Sequence, residues 1–498
     1  MKANIPKEVR AVAGLLEQAG FEAHLVGGCV RDLILSRTPK DWDVATNAKP
    51  DKVQEIFRDF ADHSAEDPGT VYENEFGTVG VKAGSEDPTL RLIEVTTYRT
   101  EKGYADKRRP DEVSFVTDIK EDLARRDFTM NAIALRIIDG EISEEIDPFG
   151  GRSDIAAGVI RTVGIPEERF GEDALRLMRA VRFAAELGFE IEPATRAAIG
   201  KLSGELAFIA KERVRDEFTK LIMSPNPAKG ILLLEQTGLL AHILPELREG
   251  LGVSQNKHHI YGVFEHLLRS LEYAASQNYS LEIRLASLLH DVGKPRSKAG
   301  EGEDSTFYNH EYIGAKMAAR ALERLKFSRS VADHVVHLVR YHMFYYNVGE
   351  ISEAGVRRFV ARVGVENLDD LLKVREADRI GSGVPKAVPY KIRHLQFMID
   401  KVRRDPISPK MLKINGERVM ELTALPPSRT IGEILAILLE EVLDDPARNT
   451  QEYLEKRAIE VAALDSMQRA ALTERAKKTQ EEFEEEAEGE LKSRHRVQ

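Results

Sequence analysis

The chain opens on apolar residues at helical spacing, MKANIPKEVRAVAGLLEQAG, and then changes period. AHLVGGCV is an apolar run that enters a Gly-Gly turn, which predicts a strand and a turn. TVGVK and LRLIEVTTYR are rich in β-branched residues and predict further strands. DLARRDFTMNAIAL predicts a helix that leads into a strand at ALRII, and EEIDPFGG predicts a strand end and a Gly-rich turn. From about Glu172 strand signals nearly vanish and helical spacing takes over. Breaks fall at Ser224 to Pro227, Gly250 to Gly252, Lys298 to Asp304 and Gly381 to Pro389. No repeat period is found. From about Ser466 the pattern is charged and helical, and seven Glu fill ten positions at 481–490, which predicts a solvated helix or a frayed tail.

A length of 498 residues suggests about three domains. With 42% hydrophobic and 31% charged residues, the chain can bury a core, and disorder throughout is excluded. The single cysteine, Cys29, excludes a disulfide framework and a Cys cluster for zinc. No apolar run approaches membrane-spanning length and no signal peptide is read, so the expected compartment is the cytoplasm. A net charge of −11 argues against binding nucleic acid by bulk charge. Between Arg375 and Arg418, however, eleven Lys/Arg face five Asp/Glu, with Tyr390, His394 and Phe397 among them. That stretch is either a phosphate-binding surface or an ordinary basic patch.

The first chemical signal is Gly27-Gly28, Arg31-Asp32 and Asp41-Trp42-Asp43. Two Asp separated by one strand residue point the same way and can hold hard divalent cations, while a Gly-Gly turn lets backbone N–H groups approach phosphate. HLVGGCVRDLILSRTPKDWDVATNA resembles, nearly end to end, the catalytic signature of the class II tRNA nucleotidyltransferase and bacterial poly(A) polymerase family. ARRDFTMNAIAL is similar to its second motif, GEDALRLMRAVRFAAELGFEIEP to its nucleotide-selecting helix, ERVRDEFTKLI and GILLLEQTGLLAHILPEL to its neck, and LKINGERVMEL to its tail.

The resemblance implies an α+β fold: a mixed-sheet, polymerase-beta-like nucleotidyltransferase head over residues 1–150 and an all-helical remainder. The expected divisions are a neck at 151–248, a body at 249–384, an RNA-binding tail at 385–465 and a charged helix or disordered end at 466–498. It implies that Asp41 and Asp43 are the catalytic carboxylates and hold Mg²⁺, with Glu94 either a third acid or part of an ion pair. Gly27, Gly28, Arg31 and Arg179 would steady the triphosphate, with Arg182 as a further nucleotide-binding arginine. Arg126, Asp127 and Asn131 would surround the ribose; a structural Arg-Asp pair is the rival for the first two. Glu172, Asp173, Arg176 and Arg179 share one face of a predicted helix and by composition form a salt-bridge ladder. By resemblance Asp173 and Arg176 read the base: Arg donates and Asp accepts, which suits C or A and rejects U and G. Trp42 and Cys29 are atypical of the family and are expected in the packing.

The activity implied is CCA addition to the acceptor arm of tRNA from CTP and ATP. The segment RTEKGYADKRRPDEVSF, with Arg108, Arg109 and Pro110, fills the place of the loop that full CCA addition requires. Poly(A) polymerase and CC- or A-adding specialists are the alternatives, and the Glu-rich end weighs against the first.

A second pattern combines His266, His290-Asp291 in LLHDVGKP, His310, His342 and Asp378. It resembles the HD phosphohydrolase domain, and implies a divalent-metal site able to activate water, or a decayed domain kept as an RNA-binding body. A chain in which this site does the main work and the head is a relic is the reading from a different class. His334 and His337 lack such a signature and are expected to be partly exposed helix residues.

Overall fold

Nine strands lie among the described residues of the first 150: β1 His24–Val26, β2 Asp43–Thr46, β3 Thr70–Glu73, β4 Thr78–Lys82, β5 Leu92–Thr97, β6 Arg99–Lys102, β7 Glu112–Phe115, β8 Ala134–Ile138 and β9 Glu141–Ile146. The fold is that of a computed structural model, which describes residues 5–497 except 59–69, 74–76, 105–109, 256–259, 301–303, 385–386 and 404–411. Seven strands form one sheet in the order β3-β4-β5-β2-β1-β8-β9, while β6 and β7 make a separate antiparallel ribbon. Only β2 and β5 run parallel in the large sheet, so it is mixed, as expected. Val44, Ala45 and Thr46 are all buried, as befits a central strand covered on both faces. In β5 the side chains alternate, with Ile93, Val95 and Thr97 buried. The helix Lys7–Gln18 buries Val9, Val12, Ala13 and Leu16, the three-and-four spacing of an amphipathic helix.

Beyond residue 150 the regular structure among the described residues is helical, apart from a two-residue parallel pair, Val159–Ile160 with Glu190–Ile191, and isolated bridges from Thr162 to Phe128 and between Ala299 and Thr306. The neck is therefore not wholly helical. The breaks predicted at 224–227, 250–252, 298–304 and 381–389 all separate helices.

Three local predictions change. The helix over DLARRDFTMNAIAL stops at Ala124: the Asp127 carboxylate takes the Phe128 N–H and Phe128 turns extended to bridge Thr162. Thr129–Asn131 is then a single 3₁₀ turn. Asp41 lies in a bend ahead of β2, not in the strand. The single helix predicted from Glu172 is interrupted at Asp173, which is extended and whose carboxylate accepts the Leu175 N–H. A side chain that takes a backbone donor in this way starts a new helix, here Leu175–Leu187.

The chain divides into two compact units, residues 1–343 with 370–385, and 344–369 with 386–498. Residues 344–369, expected in the body, thus belong with the C-terminal residues. In that second unit the helix Ser466–His495 is continuous through the Glu-rich run, opens with a capping box between Asp465 and Gln468, and packs on the helices Tyr390–Arg403 and Arg429–Asp444. No helix among the described residues is long and apolar enough to cross a membrane.

Candidate active site and HD metal cluster

The sheet brings three acids together. Register pairs Asp43 with Glu94 on the parallel strands β2 and β5, and Trp42 accepts the Glu94 N–H at 3.1 Å, which carries the ladder towards Asp41. Gly27 has a φ of +74°, open to glycine at no steric cost, and a Cβ there would stand 3.3 Å from Asp43 Oδ2 and 3.1 Å from Arg126 Nη1. A Cβ on Gly28 would stand 4.0 Å from Asp41 Oδ1. The two glycines therefore leave the mouth of the carboxylate group uncovered. Burial and then the charges of Glu94 and Asp41 push Asp43 up to about 7, against the opposing pull of Arg126. Burial and Asp41 push Glu94 up as well. Such a group has too little positive charge of its own, and its hard oxygen donors fit a divalent cation such as Mg²⁺.

Beside it runs a chain of ion pairs. Arg31 donates to Asp32 at 2.8 and 2.9 Å and to Asn131 at 3.1 Å. Asn131 donates to Asp127 Oδ1 at 3.2 Å, and Arg179 grips Asp127 Oδ2 at 2.8 and 2.7 Å. Burial alone raises Asp127, but Arg179 and Arg176 outweigh it and hold the carboxyl at about 2. Both Asp127 oxygens are thus engaged within the protein. Arg126 is anchored by Asp122, which is fully buried, at 3.2 Å. Asp173 pairs with Arg213 at 2.9 Å, and Arg176 pairs with Glu172 and donates to the Arg169 and Arg125 carbonyls. Arg182 is buried, 2.7 Å from Glu217, with its guanidinium 3.8 Å from the Phe183 ring centre.

The HD residues converge completely. His266 lies in the first turn of the helix Val263–Ser276, His290 caps the end of Leu281–Leu289, His310 opens His310–Arg324, His342 caps the end of Arg329–Tyr341, and Asp378 lies on Leu368–Gly381. All six residues are buried. One group combines His266, His290, Asp291 and Asp378; the other combines Asp291, His310 and His342. Asp291 belongs to both, with Oδ2 3.2 Å from His266 Nε2 and Oδ1 3.2 Å from His310 Nε2. His290, His310 and His342 spend Nδ1 on the carbonyls of Ser287, Phe307 and Val339, which turns each Nε2 towards the centre. Nε2 of His310 and of His342 is buried and faces Asp291 Oδ1, at 3.2 and 3.5 Å. Gly293 allows the close crossing that sets Asp291 against His310, since a Cβ there would meet the His310 carbonyl at 2.2 Å. Against the cost of burial, Asp291 and Asp378 raise His290 to about 10. This donor set fits divalent transition metals.

Residues 23–161 match the poly A polymerase head domain, 188–251 the probable RNA and SrmB-binding site of polymerase A, and 263–381 the HD domain. The chain is 37% identical over 358 residues to the A-adding tRNA nucleotidyltransferase of Deinococcus radiodurans, covering 68% of this chain and 80% of that protein. It is 33% identical over 440 residues to the CCA-adding enzyme of Lactobacillus delbrueckii subsp. bulgaricus, covering 88% of this chain and 93% of that protein. The chain belongs to the tRNA nucleotidyltransferase family. Its fold matches the crystal structure of the Bacillus stearothermophilus CCA-adding enzyme in complex with CTP, at a TM-score of 0.57 and 30% identity over 91% of this chain and 96% of that one.

In this nucleotidyltransferase several residues not picked out from the sequence help to build the sites. Glu217 and Arg213 of the helix Lys211–Ile222 hold Arg182 and Asp173. Their four-residue spacing in RVRDE was the available signal. Asp122 anchors Arg125 and Arg126, and Lys294 of LLHDVGKP lies 2.5 Å from Asp291. Cys29 and Trp42 are buried, as expected. His334 and His337 are half-buried, and His334 lies 3.6 Å from Asp370. Arg108 and Arg109, and residues 385–386 and 404–411 of the basic stretch, lie outside the described residues.

Proposed function

We propose that this nucleotidyltransferase adds C, C and A to the 3′ end of tRNA from CTP and ATP. The observation that carries the reading is the gathering of Asp41, Asp43 and Glu94 over the bare Gly27-Gly28 turn, with Arg126 on one side. Asp41 and Asp43 would hold Mg²⁺, which when bound supplies positive charge at the reacting phosphate and the departing pyrophosphate. The terminal hydroxyl of the tRNA forms a bond to the α-phosphorus, the bond to pyrophosphate breaks, and the hydroxyl proton passes to solvent. Gly27 and Gly28 admit the triphosphate, Arg31 and Arg179 steady it, and Arg182 supports that side through Glu217, the carboxylate it shares with Arg179. Arg126, Asp127 and Asn131 order the ribose side, with Asp127 acting through Arg179 and Asn131. Asp173 and Arg176 present one acceptor and one set of donors at the helix junction, which suits cytosine and adenine. The acceptor arm is gripped by shape and phosphate contacts, with the 375–418 stretch contributing. A tRNA substrate supports a cytoplasmic location.

The similarity to an A-adding relative favours a second reading, addition of the terminal A alone. Transfer RNA ending before CCA, supplied with CTP and ATP separately, tells them apart. Growth by two residues with CTP and one more with ATP supports CCA addition. Growth only on tRNA that already ends in CC selects the A-adding reading, and long A tails on generic RNA overturn both. Asp173→Ala should loosen the choice of nucleotide; an unchanged choice removes the base-reading role.

The shared Asp291 and the inward-turned histidine nitrogens support a further activity, metal-dependent phosphoester hydrolysis at the HD cluster, which opens on a cavity of about 630 Å³. Loss of bis-p-nitrophenyl phosphate cleavage in Asp291→Asn with retention in Asp41→Ala supports it. No cleavage with any divalent metal marks the domain as a structural body.

A further inference from the structure

In the second unit the helix Glu353–Val363 packs with the helix Tyr390–Arg403 and leaves a bay of about 450 Å³. Its walls carry the rings of Phe344, Tyr345 and Phe359, and Leu395 contributes apolar surface. Phe344 and Phe359 lie 5.1 Å apart between ring centres. Tyr345 is 68% exposed, and its hydroxyl donates to Glu350 at 2.5 Å, which fixes a bare aromatic face towards water. Arg358 and Arg362 also line the bay, exposed and one helical turn apart. Among the described residues neither is paired with a carboxylate. The acids nearby are engaged elsewhere: Glu353 with Arg357 and Lys401, and Glu350 with Tyr345 and Asn347.

Exposed rings beside uncommitted guanidinium groups are the chemistry of an unstacked base and its phosphates. Every base has a π-face to offer the rings, and guanidinium binds phosphate in a fork. A duplex keeps its bases stacked and paired, so it has no free face to give. The cavity is of the size that takes one small ligand rather than an RNA helix.

We propose that this bay binds one unpaired nucleotide of single-stranded RNA, its base against Tyr345 and the Phe344–Phe359 pair and its flanking phosphates on Arg358 and Arg362. The inference rests on the tRNA reading only for the identity of the polymer as RNA. Its test does not use nucleotide addition, so the two can fail separately.

The test is fluorescence anisotropy of the full chain with fluorescein-labelled octaadenylate, and in parallel with an eight-base-pair RNA duplex. Arg358→Gln/Arg362→Gln should weaken octaadenylate binding about tenfold and flatten the salt dependence of log K by about 1.4, the contribution of two single-strand phosphates. Tyr345→Ala should weaken octaadenylate about tenfold through lost stacking, leave the salt slope unchanged and leave duplex binding unchanged. Because all three side chains are exposed, the thermal transitions should stay in place. Octaadenylate binding unaltered by both variants overturns the proposal. So does an equal loss of duplex binding in Tyr345→Ala, which would mark a surface without a base pocket.

Discussion

Replacing Asp127 by Asn keeps the shape of the side chain and removes its charge. In the native head that carboxylate accepts from Arg179 at 2.7 and 2.8 Å, from Asn131 at 3.2 Å and from the Phe128 N–H at 2.8 Å. It is held at about 2, against an ordinary 3.8. At roughly 1.4 kcal/mol per pH unit that difference is worth about 2 kcal/mol of stability at neutral pH. The folded value lies below the unfolded one, so this stability is full above about pH 5 and is lost as pH falls towards 2, with roughly half gone near pH 3. Asp127→Asn should therefore destabilise the head by about 2 kcal/mol at pH 7, and its deficit relative to the parent should shrink as the pH is lowered. Urea unfolding measures this cleanly, because the only tryptophan, Trp42, is buried in the head between Asp41 and Asp43 and its fluorescence reports that region. A deficit that stays constant from pH 7 to pH 3, or is absent at pH 7, refutes the claim that the Arg179 pairing sets the energetics of this network.

Burial and then Arg136 hold His24 down to about 4, so the fold keeps it neutral while the unfolded chain protonates near 6.5. Stability should then fall by up to about 3 kcal/mol as pH drops from 6.5 to 4, and His24→Gln, read by Trp42 fluorescence, should flatten that limb. Asp291→Asn should reduce the metal content by elemental analysis more than His342→Ala does, because Asp291 serves both groups of ligands and His342 only one. Burial and the Asp43 charge push the Cys29 thiol up to about 12, so the folded chain should resist iodoacetamide at pH 8 and react once unfolded, as mass spectrometry would show.

Part of the sheet was legible because β-branched runs and Gly turns mark strands locally, as LIEVTT does for β5, whereas β2 was implied only by the strand spacing of Asp41 and Asp43. Their parallel pairing was not legible, and that pairing sets Glu94 beside Asp43. The HD ligands were readable from residue type and order, since imidazole and carboxylate in LLHDVGKP have few other uses. The arginine-rich helix was harder. Helical spacing put Glu172, Asp173 and Arg176 on one face, yet Asp173 caps a new helix and turns to Arg213 on a neighbouring element. Periodicity describes a helix once it exists; it does not show where a side chain outcompetes the backbone for a donor.

The passage of residues 344–369 into the second unit has a consequence for modularity. The chain leaves the first unit after Met343, returns at Asp370 and leaves again after Pro385. A single cut at any of these boundaries frees neither unit as a continuous piece. Ending the chain at Pro385 would leave Glu353–Val363 without Tyr390–Arg403, the helix against which it packs, and would expose apolar surface in what remains. The two units thus cannot be parted by one cut: a sequence boundary near 385 looks like a seam, but the polypeptide passes from one unit to the other three times.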